Sequence, residues 1–217
     1  MAEMSNVIAS LLNISSACID KSLSSNLAFE KSSVLMTKLG HELMSLLGQR
    51  NGFFAFESAL LIRPLSFSGM PLGIMQWNHE PLWRKNYDMD LSGVLFFAED
   101  IFGSQFCICP DGINSFDPET GAFVFMAKSV ESWAKCIMDD YRVVTGWPLA
   151  HEWQLQYGPI EPGQRLLPKT PFVLGGKFEL GNLFKLNDVD GMRFRASIAV
   201  QIRNCPDGST VVLKALP

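Results

Sequence analysis

Residues 96–133, FFAEDIFGSQFCICPDGINSFDPETGAFVFMAKSVESW, constrain the fold more than any other part of the chain. Apolar runs at 93–98 and 105–109 are bounded by turn residues, as strands should be. Between and after them stand Pro110-Asp111-Gly112 and Asp117-Pro118-Glu119-Thr120-Gly121. In such turns proline presets φ, aspartate bonds its own backbone and glycine takes a positive φ. Ser129 then caps a helix whose apolar positions are Val130, Trp133, Ala134, Ile137, Met138 and Tyr141, a clear helical series. Glu131 in its first turn suits the helix dipole. The order is strand, turn, strand, turn, strand, helix. Acidic groups sit at the ends of these elements, and no nucleophile stands beside a base.

The flanking regions fill in the architecture. Val7, Ile8, Leu11 and Leu12 share one stripe of a short amphipathic helix over residues 5–14. A serine-rich link follows over 15–33. Ser33 is placed to cap the next helix, which carries Leu35, Leu39, Leu43, Leu46 and Leu47 and stops at Gln49-Arg50-Asn51-Gly52. Residues 53–64 fit strand or helix. Residues 64–93, with Trp77 and Trp83, read as an ordered but irregular connection. A second helix starts at Pro148, a favoured first-turn residue, and ends before Gly158. After the Pro/Gly-rich stretch 159–176, strands are expected at 182–187, 192–203 and 210–215; residues 192–198 alternate in polarity as a half-exposed strand would. Cys205-Pro206-Asp207-Gly208 echoes the earlier turn. These elements predict an α+β domain over 34–217, a largely antiparallel sheet with helices on one face, preceded by an appendage over 1–33.

At 217 residues, size scaling lets folding hide roughly 70% of the unfolded chain's surface, so a real core needs no staples. The net charge of −4 is unevenly spread. Residues 88–140 hold ten acids against Lys128 and Lys135, net −8, leaving twelve acids against sixteen basic residues elsewhere, net +4. An acidic segment repels phosphate backbones, which argues against nucleic acid, and attracts basic proteins. Five cysteines in apolar settings, with no apolar run near the ~18 residues a span needs, predict free thiols, a cytoplasmic location and no membrane contact.

The residues that carry chemistry elsewhere are incomplete here. His151-Glu152 is half of a zinc-protease helix, but Leu155 stands where the second histidine belongs. Cys107 and Cys109 share a strand face and read as core thiols. Glu99-Asp100 reads as a cap at a strand exit rather than an acid/base pair. Gly175-Gly176 lacks the lysine and hydroxyl of a phosphate loop. His41, His79 and His151 leave a Ser-His or Cys-His pair open by count, but no serine or cysteine sits in an elbow such as G-x-S-x-G. Arg165 and Lys169 read as gripping a carboxylate within the domain. No catalytic residue, metal ligand or cofactor is assigned.

With these pieces in order, the chain resembles the SUKH superfamily of Smi/Knr-like proteins. The words that carry the likeness are FAEDIFGSQFCI (97–108), FDPETG (116–121), SVESW (129–133), TGWPLAHEWQ (145–154) and RLLPKTPFVLGG (165–176), with RNGFFAFESAL (50–60) upstream. The resemblance implies one curved sheet with helices around it and a non-enzymatic role. Bacterial members are commonly immunity proteins that neutralise toxins, often nucleases, and fungal relatives are regulatory scaffolds. The expectation is an intracellular binding protein that occludes the active surface of a basic toxin domain. The rival is a scaffold that joins a larger complex through the N-terminal helix. The acids expected at the contact are Asp88, Asp90, Glu99, Asp100, Asp117 and Glu119, chosen because they lie at turns and strand ends.

Overall fold

The computed structural model describes residues 6–22, 32–203, 205, 206 and 209. The fold is α+β. Six antiparallel strands run as a meander in chain order: β1 (Phe53–Ala55), β2 (Leu60–Ile62), β3 (Leu95–Asp100), β4 (Gln105–Cys109), β5 (Gly112–Phe116) and β6 (Phe123–Ala127). Both predicted turns close hairpins, joining β4 to β5 and β5 to β6. Gly112, at φ 147°, supplies a conformation that side chains rarely take. On β3 the register shifts between Phe96 and Ala98. This bulge turns Phe96 to one face, with Phe97 and Ala98 both in the core of the other.

Three helices cover the first face. α1 (Asn6–Asn13), α2 (Lys38–Gln49) and α4 (Val130–Asp139) pack with Phe97, Phe106 and Ile113 in one core. α3 is the single turn Ile74–Trp77. Ser129 caps α4 as expected. Its hydroxyl accepts from the Ser132 N–H and the Ser132 hydroxyl accepts from the Ser129 N–H, both at 3.1 Å. Such a cap stabilises by about 1 kcal/mol. Trp133 is fully buried against the edges of Phe97 and Phe106. α2 is capped by Thr37 rather than Ser33, because residues Ser33–Met36 form a separate tight turn of 3-10 helix. α1 is no appendage. Ile8, Leu11 and Leu12 lie in the same core, α1 packs on α4, and Arg50 Nη1 donates to the Leu12 carbonyl at 2.6 Å. The boundary expected at residue 33 therefore does not separate two cores.

The second face is covered by the irregular segment 64–93, whose Trp77 and Trp83 are fully buried, and by α7 (Asp188–Ile202). This helix replaces the strand expected at 192–203. Asn187 caps it, and Val189, Met192, Ala196 and Ala199 follow helical spacing into the core. The apolar period is masked because two inward positions, Asp188 and Arg195, are charged. Residues 192–198 alternate in polarity only by coincidence of those choices.

α5 (Tyr141–Val144) and α6 (Trp147–Tyr157) continue from α4, and α6 carries Pro148 in its first turn as expected. A small second sheet pairs β7 (Gln164–Pro168) with β8 (Leu183–Asn187). β7 was hidden inside a Pro/Gly-rich stretch, whereas β8 matches the strand expected at 182–187. Leu166 and Leu183 of this sheet pack with Trp153 of α6 in a third cluster. Residues 23–31 of the serine-rich link, Asp207 and Gly208 of the second CPDG turn, and the strand expected at 210–215 lie outside the described residues.

Candidate functional site

The adjacent acids at the end of β3 are separated by the sheet. Glu99 enters a buried charge cluster beneath the start of α7. Arg63 Nη2 lies 3.0 Å from Glu99 Oε2 and 2.9 Å from Asp188 Oδ2, and Arg165 Nε lies 2.8 Å from Glu99 Oε1. The last is an ion pair whose N–H is not aligned for a hydrogen bond. Gln105 Nε2 donates to Glu99 Oε2 at 2.8 Å, and Trp77 Nε1 donates to Gln105 Oε1 at 2.9 Å. The Arg63 guanidinium sits 3.5 Å above the Trp77 ring centroid. Burial pushes the Glu99 carboxyl up; Arg63, Arg165 and Gln105 more than offset that and hold it below the usual carboxylate range. Arg165 thus grips an internal carboxylate, as its sequence setting suggested, whereas Lys169 donates to the Gly181 carbonyl.

Asp100 faces a different environment. It lines a cleft of about 280 Å³ with Asp117, Glu119, Arg195 and the aromatic residues Phe102, Phe172 and Phe178. Five elements meet there: the β3–β4 turn, the β5–β6 turn, the 172–178 segment, Val143 of α5 and α7. The Ser104 N–H donates to Asp100 Oδ1 at 2.8 Å, and the Val173 N–H donates to Glu119 Oε2 at 2.9 Å. Both carboxyls are more than nine-tenths buried. Burial pushes Asp100 up to about 7, against the pull of the Ser104 hydrogen bonds and of Arg195, and it raises Glu119 as well.

Arg195 forms no ion pair with either acid among the described residues. Its Nε donates to the Gly191 carbonyl at 3.2 Å, its Nη1 to the Phe102 carbonyl, and its Nη2 lies 3.6 Å from the Met192 sulfur. Gly103, at φ 76°, permits this placement. A Cβ there would stand 2.5 Å from Arg195 Nη2. Phe172 and Phe178 stack in parallel at 3.9 Å, with Phe102 edge-on to both. At the mouth Val143 is 76% exposed and Phe178 65%.

The six acids expected at a contact surface are therefore divided. Glu99, Asp100 and Glu119 are buried, so the six do not form one exposed contact surface. Strand ends and turns in this fold are roofed by α7 and the 172–178 segment, which sequence spacing could not show. Asp100, Asp117 and Glu119 nevertheless converge on one cleft. Asp117 is exposed and holds its turn, accepting from the Glu119 N–H and the Thr120 hydroxyl at 2.8 Å each. Asp88 and Asp90 are exposed on a neighbouring concavity of about 710 Å³, and Tyr87 joins the two places by donating to the Pro118 carbonyl at 2.8 Å. Among the cleft residues that sequence reasoning did not name are Arg195, placed on a strand, Phe172, inside the stretch 159–176 read as Pro/Gly-rich, and Phe178, just beyond it and assigned to no element.

Cys107 is buried and Cys109 half-buried, with sulfurs 3.7 Å apart; all five cysteines are free thiols. Among the described residues no three His, Cys, Asp or Glu side chains are grouped to hold a metal ion, and no helix is long and apolar enough to cross a membrane. No family model and no curated protein matches the chain. Among solved structures it is similar to Atu4351 from Agrobacterium tumefaciens, with a TM-score of 0.56 and 10% sequence identity over 85% of this chain and 86% of that one. At that identity the likeness concerns the fold alone.

Proposed function

We propose that this chain is a non-enzymatic protein-binding domain of the SUKH type, acting in the cytoplasm as an immunity protein that covers the active surface of a basic toxin domain. The observation that carries this reading is the cleft mouth: large apolar side chains stand exposed around a net acidic recess. Exposed apolar residues beside unneutralised carboxylates fit an interface with an apolar centre and a polar margin. The negative field would raise the association rate with a basic partner, and Val143, Val173 and Phe178 would lose their water on docking and slow its release. The sequence resemblance and the acidic segment 88–140 support the same class of partner.

The scaffold alternative loses its anchor, since the apolar stripe of α1 is buried in the domain's own core. The test is co-expression with a basic toxin domain, taken from a toxin gene should one stand directly upstream. The native chain should restore growth, and the double variant Val143→Asp/Phe178→Asp should not, while keeping its thermal stability. Full protection by that variant would remove this face from the interface, and no protection by the native chain would overturn the immunity role.

A further inference from the structure

The cleft is shaped for one side chain. We infer that it receives an arginine of the partner, its guanidinium paired with Asp100 and Glu119 and its plane laid against the exposed ring of Phe178; this rests on the protein-binding role proposed above. Three observations converge. First, the recess is net negative, with Asp100, Asp117 and Glu119 against Arg195, and the two buried acids carry backbone hydrogen bonds but no ion pair among the described residues. Beneath the start of α7 the buried acids are matched: Glu99 has two arginines and Asp188 has one. A buried carboxyl without a cation lowers stability unless something charged arrives to pair with it. The raised titration of Asp100 reports the same deficit.

Second, the volume of about 280 Å³ lies at or below the roughly 300–1,000 Å³ of small-molecule pockets. It suits a single long side chain. Third, the wall is a flat aromatic stack with one ring open to solvent. A planar guanidinium both stacks on such a ring and donates two parallel hydrogen bonds to carboxylates, whereas an ammonium is a hydrated point charge. Arg195 does not fill this role. Its donors are turned to the Gly191 and Phe102 carbonyls and to Met192.

The experiment titrates the full chain with N-acetyl-arginine methylamide, and in parallel with the lysine and norleucine counterparts, while following backbone amides by nuclear magnetic resonance. The Ser104 and Val173 amides donate to the two acids and report occupancy directly. Both should shift saturably with the arginine compound, several-fold more weakly with lysine and not with norleucine. Asp100→Asn should weaken arginine binding about tenfold, Phe178→Ala a few-fold, and Asp90→Asn, an exposed acid outside the cleft, should leave it unchanged. Phe178→Ala removes an exposed ring, so its result does not depend on how Asp100→Asn folds. Equal shifts with norleucine, or unaltered affinity in both cleft variants, overturn the inference. If these amides stay silent while Val143→Asp/Phe178→Asp still breaks protection, the arginine assignment alone fails. If they respond while that variant protects fully, the interface reading fails instead.

Discussion

Glu99 and Asp100 are neighbours on one strand and live in opposite electrostatic worlds. Glu99 is closed in by Arg63, Arg165 and Gln105, so its charge is matched on every side and serves cohesion. Asp100, one residue on, opens into a cleft where the nearest guanidinium acts on it only through space. A matched buried charge holds layers together, whereas an unmatched one at a cleft is kept at a cost in stability. That difference separates a matched acid from an unmatched one without reference to the sequence around them.

The largest effect should come from breaking the matched side. Glu99→Gln leaves buried Arg165 without its anion and Arg63 with Asp188 alone, and denaturant titration should show a loss of about 3–5 kcal/mol. Because the folded Glu99 titrates below its unfolded value, its contribution is present above about pH 4 and lost as pH falls through the folded value. A Glu99→Gln chain should therefore have a flatter acid limb.

Asp100 should behave in the reverse sense. Its folded value is raised to about 7, so the native chain loses stability as pH rises from about 4 towards 7. Asp100→Asn should stabilise on the order of 2–4 kcal/mol at about pH 8 and very little at about pH 4, read by melting at both. Destabilisation at both pH values would make the two acids alike and end the comparison. Arg195→Met should cost about 1–3 kcal/mol through its carbonyl bonds and move the Asp100 titration higher still, visible in carboxyl carbon shifts. An unmoved titration would mean that Arg195 does not act on the cleft. The smallest effect on stability, within about 0.5 kcal/mol, is expected for Phe178→Ala, an exposed side chain whose loss should appear in partner affinity instead.

Much of the fold could be read from residues, and the places where reading failed share a cause. The two hairpins and α4 were legible because their turn chemistry, cap and apolar spacing are local. α7 was misread because its inward face includes Asp188 and Arg195, which a hydrophobic pattern counts as solvent-facing. β7 was missed because prolines and glycines crowd its flanks. Among the cleft residues, the acids were named in advance, but their burial and their grouping with Arg195, Phe172 and Phe178 were not.

Residue order alone determined the strand–turn–strand rhythm, the capped α4 and the excess of acids over 88–140, since turn chemistry, helix capping and charge depend only on near neighbours. Only the tertiary structure decided which carboxylates meet arginines and which are left facing a cleft. That choice follows from how α7 and the 172–178 segment cross the ends of β3 and β5, where groups from five elements come within interacting distance. Burial and Coulomb energy act through space, so two adjacent acids received different partners and different chemistry.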